Sequence, residues 1–213
     1  MNRPLTAGVL AALLLLVSGC AAPERQYIAA DSYGMYFALP QAWSAVPGRD
    51  LVAAEAGWTD DVGNVFNQTV VWQGAWTDGS GDASTIFAAE ASARPAVFAF
   101  VRDLISVEQQ SVTGSDINTA LRDVVLPTTS IQDAGGDVRT ERISDGDFRG
   151  IHQLATYAAG GSLSTTEVVT MLAPSKNRVY ALLVRCSAAC FDRNTGTIND
   201  VFDSLTFKER RGQ

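Results

Sequence analysis

The three cysteines and the single histidine are the residues of this sequence with the widest range of chemistry. Cys20 follows an apolar run, Cys186 and Cys190 lie four positions apart, and His152 is remote from all of them in the chain. A thiol can be acylated, oxidised to a disulfide or deprotonated to bind a metal, and an imidazole can act as a general base or as a metal ligand. The sequence around each residue decides among these reactions.

Cys20 ends a segment with the layout of a bacterial lipoprotein signal. Arg3 supplies a basic head, and residues 5–17 form an apolar stretch that is too short for a spanning helix, which needs about 20 residues. The two residues before Cys20 are small, as a signal peptidase requires. The segment predicts a signal peptide over residues 1–19 and a lipid on the Cys20 thiol; an ordinary secretory signal with a chance cysteine is the alternative.

Acylation at Cys20 predicts an anchor on the extracytoplasmic face of the bacterial cell membrane, because two or three buried acyl chains bind a bilayer almost permanently. We expect residues 20–32 to be a lipidated tether in which a strand can begin at Tyr27, residues 33–209 a single domain and residues 210–213 a tail. The domain has a usual single-domain size, and no linker rich in Pro, Gly or Ser divides it.

The charge of the chain excludes one class of partner. There are 23 acidic and 16 basic residues, which give a formal net charge of −7, and the sequence has no basic run. Such a surface does not attract phosphate backbones or anionic headgroups. We therefore expect no nucleic acid partner, and contact with the membrane only through the lipid.

Cys186 and Cys190 predict a disulfide, because thiols outside the cytoplasm are oxidised and the two form an even pair. Positions four apart on a strand are separated by ~13 Å, whereas a disulfide needs Cα atoms within about 7 Å. The chain must then turn at residues 187–189. A metal site and a redox pair are the alternatives, but no further ligand lies nearby and the C-x-x-C spacing is absent.

Hydrophobic periodicity predicts an α+β fold in which an antiparallel β-sheet packs against helices. Helices are expected from Ser115, the candidate N-cap of a segment that ends before Pro127, and over residues 195–205, where Phe202 should be buried at the centre of the apolar face. Strands are expected on either side of Pro40 and in the segments 67–76, 95–105, 138–144, 149–158, 165–172, 178–186 and 206–208.

The segment "FALPQAW", from Phe37 to Trp43, resembles the F-x-[LIV]-P-x-x-W opening of PsbP-like domains. The end of the chain is similar too, with "VYALLV", an amphipathic helix and "SLTF". Together with the lipobox and "RCSAAC", this order resembles actinobacterial lipoproteins of the LpqN type. The resemblance implies a PsbP-like α/β/α sandwich, a non-enzymatic envelope role in biogenesis or partner binding, and neither a cofactor nor catalytic residues to carry over.

Three tryptophans in the first part of the chain, Trp58, Trp72 and Trp76, are the candidate ligand-binding residues. They belong either to an aromatic core or to an apolar groove that accepts a lipid tail or the surface of an envelope protein.

His152 lies in a predicted strand and is expected to be a sheet residue, although the fold could also bring it to a serine. The leading hypothesis is a binding or accessory lipoprotein without metal or cofactor. The alternative is an envelope hydrolase whose dispersed site uses His152.

Overall fold

The computed structural model describes residues 24–55, 61–79, 82, 86, 92–113 and 136–208, and within them the chain forms ten strands and four helices. A three-stranded sheet has the order β1-β2-β10 and a seven-stranded sheet the order β3-β4-β5-β9-β8-β7-β6, and every pairing is antiparallel. The strands are β1 (Arg25–Ala30), β2 (Met35–Pro40), β3 (Trp43–Ala45), β4 (Val70–Asp78), β5 (Ala96–Asp103), β6 (Asp137–Asp145), β7 (Phe148–Ala159), β8 (Ser162–Leu172), β9 (Arg178–Ser187) and β10 (Thr206–Phe207). The helices are α1 (Gly48–Glu55), α2 (Asp61–Thr69), α3 (Ser106–Thr113) and α4 (Ala188–Asp203).

The fold is therefore mainly β with helices, and the predicted antiparallel sheet is confirmed. The strands β6 to β9 follow one another as hairpins, in the segments where alternating sequence and turn residues predict them. The turn between β7 and β8 contains Gly160 and Gly161, both with positive φ, a conformation that glycine adopts without steric cost.

The central strand β5 shows how the seven-stranded sheet is buried on both faces. Val97, Ala99 and Val101 belong to one hydrophobic cluster together with α4 and β2, whereas Phe98 and Phe100 belong to a second cluster with residues of α1, α2 and α3. Because successive side chains of a strand point to opposite faces, a continuous apolar run is required where both faces are covered. This explains the unbroken apolar stretch at residues 96–101.

The predicted disulfide is confirmed, and it joins the end of strand β9 to the first turn of helix α4. Cys186 lies in β9 and Cys190 in α4, with 5.9 Å between their Cα atoms. The helix begins at Ala188, earlier than predicted, because Ser187 is its N-cap and accepts a hydrogen bond from the Cys190 backbone N–H. The turn expected at residues 187–189 is thus the start of α4.

Several expectations about the first half of the chain need correction. Arg25–Ala30 was expected within the tether but forms β1, which pairs along its whole length with β2. Asn67–Thr69 was expected to be strand but ends α2. The helices α1, α2 and α3 were not predicted. Each is only eight or nine residues long, and each contributes a buried apolar side chain to the core: Leu51, Phe66 and Val112. Cys20, Trp58 and the helix predicted from Ser115 lie outside the described residues.

The burial of α4 also differs from the prediction. Ile198 and Val201 are the fully buried residues at the centre of its apolar face, and Phe202 is only half-buried at the flank. Helix α4 lies over β8, β9 and β2, and the residues that it buries against them include Ile198 and Val201 rather than Phe202.

No helix in the described ranges is long and apolar enough to cross a membrane.

We predict that Ile198→Ala destabilises the protein by about 2–5 kcal/mol, the usual cost of truncating a fully buried aliphatic side chain, against a total of about 5–15 kcal/mol for a domain. Phe202→Ala should cost less, because its ring keeps part of its surface in water. Urea denaturation of both variants ranks them, and Asn199→Ala on the exposed face of α4 is the control. A larger loss for Phe202→Ala would contradict this packing of α4.

Candidate functional site

His152 lies between two carboxylates in a row that crosses three adjacent strands. Its Nδ1 is 3.0 Å from Oε1 of Glu141 on β6, and its Nε2 is 2.6 Å from Oε1 of Glu167 on β8. Both distances are within hydrogen-bond range, and the shorter one is typical of a charge-assisted bond. The arrangement joins the edge strand of the large sheet to its interior.

The strand registers place these three side chains on the same face of the sheet. Glu141 is directly opposite His152, and Val169 is opposite His152 on the other side, so that Glu167 is a diagonal neighbour two residues away. The face is that of α4, because the Phe202 ring lies 5.7 Å from the imidazole, measured between centroids. Ile151, the preceding residue, is buried on the opposite face in the other hydrophobic cluster.

Burial increases from the edge of this row to its interior. The Glu141 side chain is 69% exposed, that of His152 28% and that of Glu167 9%. The hydrogen bond to the Glu167 carboxylate raises the pKa of His152 above its ordinary value, partial burial opposes this shift, and the hydrogen bond to Glu141 adds to the increase. When it is protonated, the imidazole donates one N–H to each carboxylate and supplies a positive charge beside the interior Glu167.

This geometry leaves His152 without a free ring nitrogen for base chemistry. In a Ser-His-Asp triad, one nitrogen donates to the carboxylate and the other accepts the proton of the nucleophile. Here both nitrogens face carboxylates, and no Ser, Thr or Cys side chain of the described residues hydrogen-bonds to the ring. The row can hold charge and position α4, but it does not activate a hydroxyl.

Metal ligation has no support in the part of the chain that the structure describes, where no three His, Cys, Asp or Glu side chains are grouped to hold an ion.

The structure separates the predicted tryptophans rather than assembling a groove from them. Trp76 is 6% exposed, and its indole meets the Phe37 ring edge-on with 5.5 Å between centroids. Its ring lies over Gly74, where any Cβ would collide with the indole. Trp72 is half-buried against the same hydrophobic cluster. Trp76 is therefore a core residue, and of the three tryptophans only Trp72 is described with part of its surface accessible.

The ion pair of Arg102 and Glu108 was not predicted from the sequence, and it has a structural role. Arg102 on β5 forms a bidentate ion pair with Glu108 on α3, at 2.6 and 3.0 Å, and the Arg102 side chain is almost fully buried. Glu108 also accepts the backbone N–H of Ile105, the residue before the helix. The pair thus caps α3 and fastens it to the sheet. The spacing of Glu108 three residues after Ile105 is the signal that could have located this helix start.

Comparison with known proteins shows the fold. No protein-family model matches the sequence, and no curated protein is significantly similar to it. Among solved structures, cyanobacterial PsbP from Synechocystis sp. PCC 6803 is 11% identical, with a TM-score of 0.54 over 89% of this chain and 96% of that chain. The likeness shows that the chain has a PsbP-like fold.

Two other solved structures have lower TM-scores. LpqN of Mycobacterium tuberculosis, described as involved in cell envelope biogenesis, is 13% identical with a TM-score of 0.48, over 88% of this chain and 93% of that chain. The Ran-binding protein Mog1p of Saccharomyces cerevisiae is 8% identical with a TM-score of 0.44, over 87% of this chain and 96% of that chain.

The raised pKa of His152 predicts a pH-dependent stability. Protonated His152 should stabilise the fold fully below its unfolded pKa of about 6.5, and this contribution should be lost as the pH rises through the higher folded pKa. We expect the difference in free energy of unfolding between the wild-type protein and His152→Gln to be constant in mild acid and to decrease above about pH 6.5. Urea denaturation across this range measures it. A difference that increases with pH would show that His152 is neutral in the folded protein.

Proposed function

We propose that this chain is an LpqN-type lipoprotein, anchored by Cys20 to the extracytoplasmic face of the bacterial cell membrane, whose PsbP-like domain binds another envelope component. The component is an envelope protein or an apolar ligand, and the domain acts as an accessory module rather than as an enzyme. Neither a cofactor nor a nucleic acid takes part.

The observation that carries the anchoring proposal is the pairing of the cysteines. The chain has three cysteines, and the disulfide uses Cys186 and Cys190, both fully buried. Cys20 is the one cysteine outside this pair, and it follows an apolar run and two small residues. Disulfides persist in oxidising compartments, so the buried pair supports a place outside the cytoplasm, where an acylated Cys20 would hold the domain.

The proposal of a non-enzymatic role rests on the engagement of His152. The hydrolase alternative needs one ring nitrogen for a nucleophile, and both nitrogens are hydrogen-bonded to Glu141 and Glu167. Moving Glu167 away to free a nitrogen would leave a nearly buried carboxylate without its cationic partner, which is costly.

The finer architecture that we propose is the α/β/α sandwich of PsbP-like domains. Helix α4 packs on one face of the large sheet, and buried residues of α1, α2 and α3 pack on the other. Trp72 is the residue that we would test first for an apolar ligand, since it combines an accessible surface with contact to the core.

The anchoring proposal is tested with Cys20→Ala in the full chain. Wild-type protein should incorporate labelled palmitate and partition into the membrane fraction, and the variant should lose the label and become soluble, because no acyl chain then remains to hold it. Ser18→Ala keeps a small residue beside the cleavage site and is the matched control. Unchanged palmitate labelling and membrane binding of Cys20→Ala would refute the proposal.

The enzymatic alternative is tested with His152→Ala and a panel of ester and peptide substrates. We expect neither wild-type protein nor variant to hydrolyse any of them, because the imidazole is held by two carboxylates. Hydrolysis by the wild-type protein that disappears in His152→Ala, while the fold is retained, would replace the binding proposal by the hydrolase.

A further inference from the structure

Strand β1 is the outer strand of the three-stranded sheet, and it has an uncommonly exposed aromatic residue. It pairs only with β2 among the described residues, and Tyr27 at its centre is 83% exposed. Natural edge strands usually have features that block further pairing, such as a bulge, a proline or inward-pointing charges. The six residues of β1 contain none of these, and their one charged side chain, Arg25, points to Asp200 of α4.

The hydrogen-bond pattern shows which backbone groups of β1 face outwards. The Gln41 N–H donates to the Glu24 carbonyl at 3.0 Å, which makes these two a hydrogen-bonded pair of the β1–β2 ladder. Bonded pairs alternate along an antiparallel ladder, so Gln26 and Ile28 also exchange their bonds with β2. The N–H and C=O groups of Arg25, Tyr27 and Ala29 then point away from β2.

The opposite edge of β2 obeys the same alternation. The Lys208 N–H donates to the Gly34 carbonyl, and the Ser204 hydroxyl accepts the Ala38 N–H, both on the side of β10 and α4. Even-numbered residues of β2 therefore face β10, and its odd-numbered residues face β1. The outward direction of Arg25, Tyr27 and Ala29 is thus fixed from both sides.

We propose that β1 is a self-association edge, on which β1 of a second copy of this chain pairs in antiparallel orientation about a two-fold axis at Tyr27. Tyr27 then pairs with Tyr27 of the second copy, and Arg25 pairs with Ala29 of the second copy. The two small sheets form one continuous sheet through an isologous interface.

The side chains of β1 favour a second copy over an unrelated strand. The two-fold axis brings the most exposed aromatic residue of β1 against its own counterpart, and cross-strand aromatic pairs stabilise sheets. Asp31 lies in the turn that follows β1, two residues after Ala29. Because Arg25 would pair with Ala29 of the second copy, each Arg25 would lie at the same end of the ladder as an acidic residue of the other copy.

The short connection to Cys20 adds a further reason, which rests on the proposed anchoring. Five positions separate Cys20 from Arg25, a reach of at most about 18 Å. Two anchored copies would therefore present their β1 strands at the same height above the membrane. The pairing geometry itself does not require the lipid.

The proposal is tested by cysteine cross-linking of the full chain, in membranes and after solubilisation in detergent. Directly opposed, hydrogen-bonded residues have Cα atoms ~5.5 Å apart, within the range that a disulfide spans. Tyr27→Cys should form a disulfide-linked dimer under mild oxidation. Val52→Cys on α1, which is also strongly exposed, is the matched control and should stay monomeric. If the protein is soluble and Tyr27→Cys still forms the cross-linked dimer, the anchoring proposal is refuted and the self-association proposal is retained.

A pair of charge variants at one exposed position provides an independent measurement. Ala29→Lys places a like charge opposite Arg25 of the second copy, and Ala29→Glu places an opposite charge there. The dissociation constants of self-association, measured by analytical ultracentrifugation in detergent, should differ about tenfold, with the Glu variant tighter. Equal constants, cross-linking of Tyr27→Cys no faster than that of Val52→Cys, or cross-links to a different protein would each overturn the proposal.

Discussion

Burial of β5 and β9 on both faces is the constraint on which the rest of the structure depends. Antiparallel sheets commonly keep one face in water, but here the alternate residues of both strands belong to two separate hydrophobic clusters. Each face therefore needs its own cover. Helix α4 and the small sheet supply the cover on one side, and residues of α1, α2 and α3 on the other, which explains why helices interrupt a mainly β chain.

Two groups of charged side chains lie where a covering helix meets the sheet. Arg102 and Glu108 fasten α3, and the Glu141–His152–Glu167 row lies beneath the flank of α4, where Phe202 contacts the imidazole. A charge in such a place is tolerated only with its partner present. Charge therefore fastens α3 to the sheet, and the charged row of His152 contacts α4 through the ring of Phe202.

Much of the fold was predicted from the sequence. Part of the candidate site was also predictable, although it was not predicted. Tight turns at residues 146–147 and 160–161 set the registers of β6, β7 and β8, so that Glu141 opposite His152 follows from counting. The shift in the pKa of His152 does not follow from counting, because it depends on the hydrogen bond to Glu167 and on how far the ring is buried. The helices α1 to α3 were inaccessible for a related reason: helices of eight or nine residues are marginal alone, and tertiary packing of side chains such as Leu51, Phe66 and Val112 stabilises them.

The tether was misjudged because β1 looks like a polar linker when it is considered alone. Only pairing with β2 shows that Gln26 and Ile28 point inwards while Arg25 and Tyr27 remain in water. Half-exposed edge strands have a weak hydrophobic signal, and a neighbouring strand is needed to identify them.

The small sheet joins the first and last strands of the described residues, and this has a consequence for synthesis. Its central strand β2 receives β1 from the start of the chain and β10 from residues 206–207. Contacts between segments so distant in sequence form late, because the entropy cost of closing a long loop must be met before the contacts stabilise the fold. A nascent or prematurely terminated polypeptide would hold β1 and β2 as an unfinished hairpin with both edges open. Completion of this sheet therefore requires that residues 206–207 have been synthesised, and a product truncated before them would be marked by an open β2 edge that proteases and chaperones can recognise.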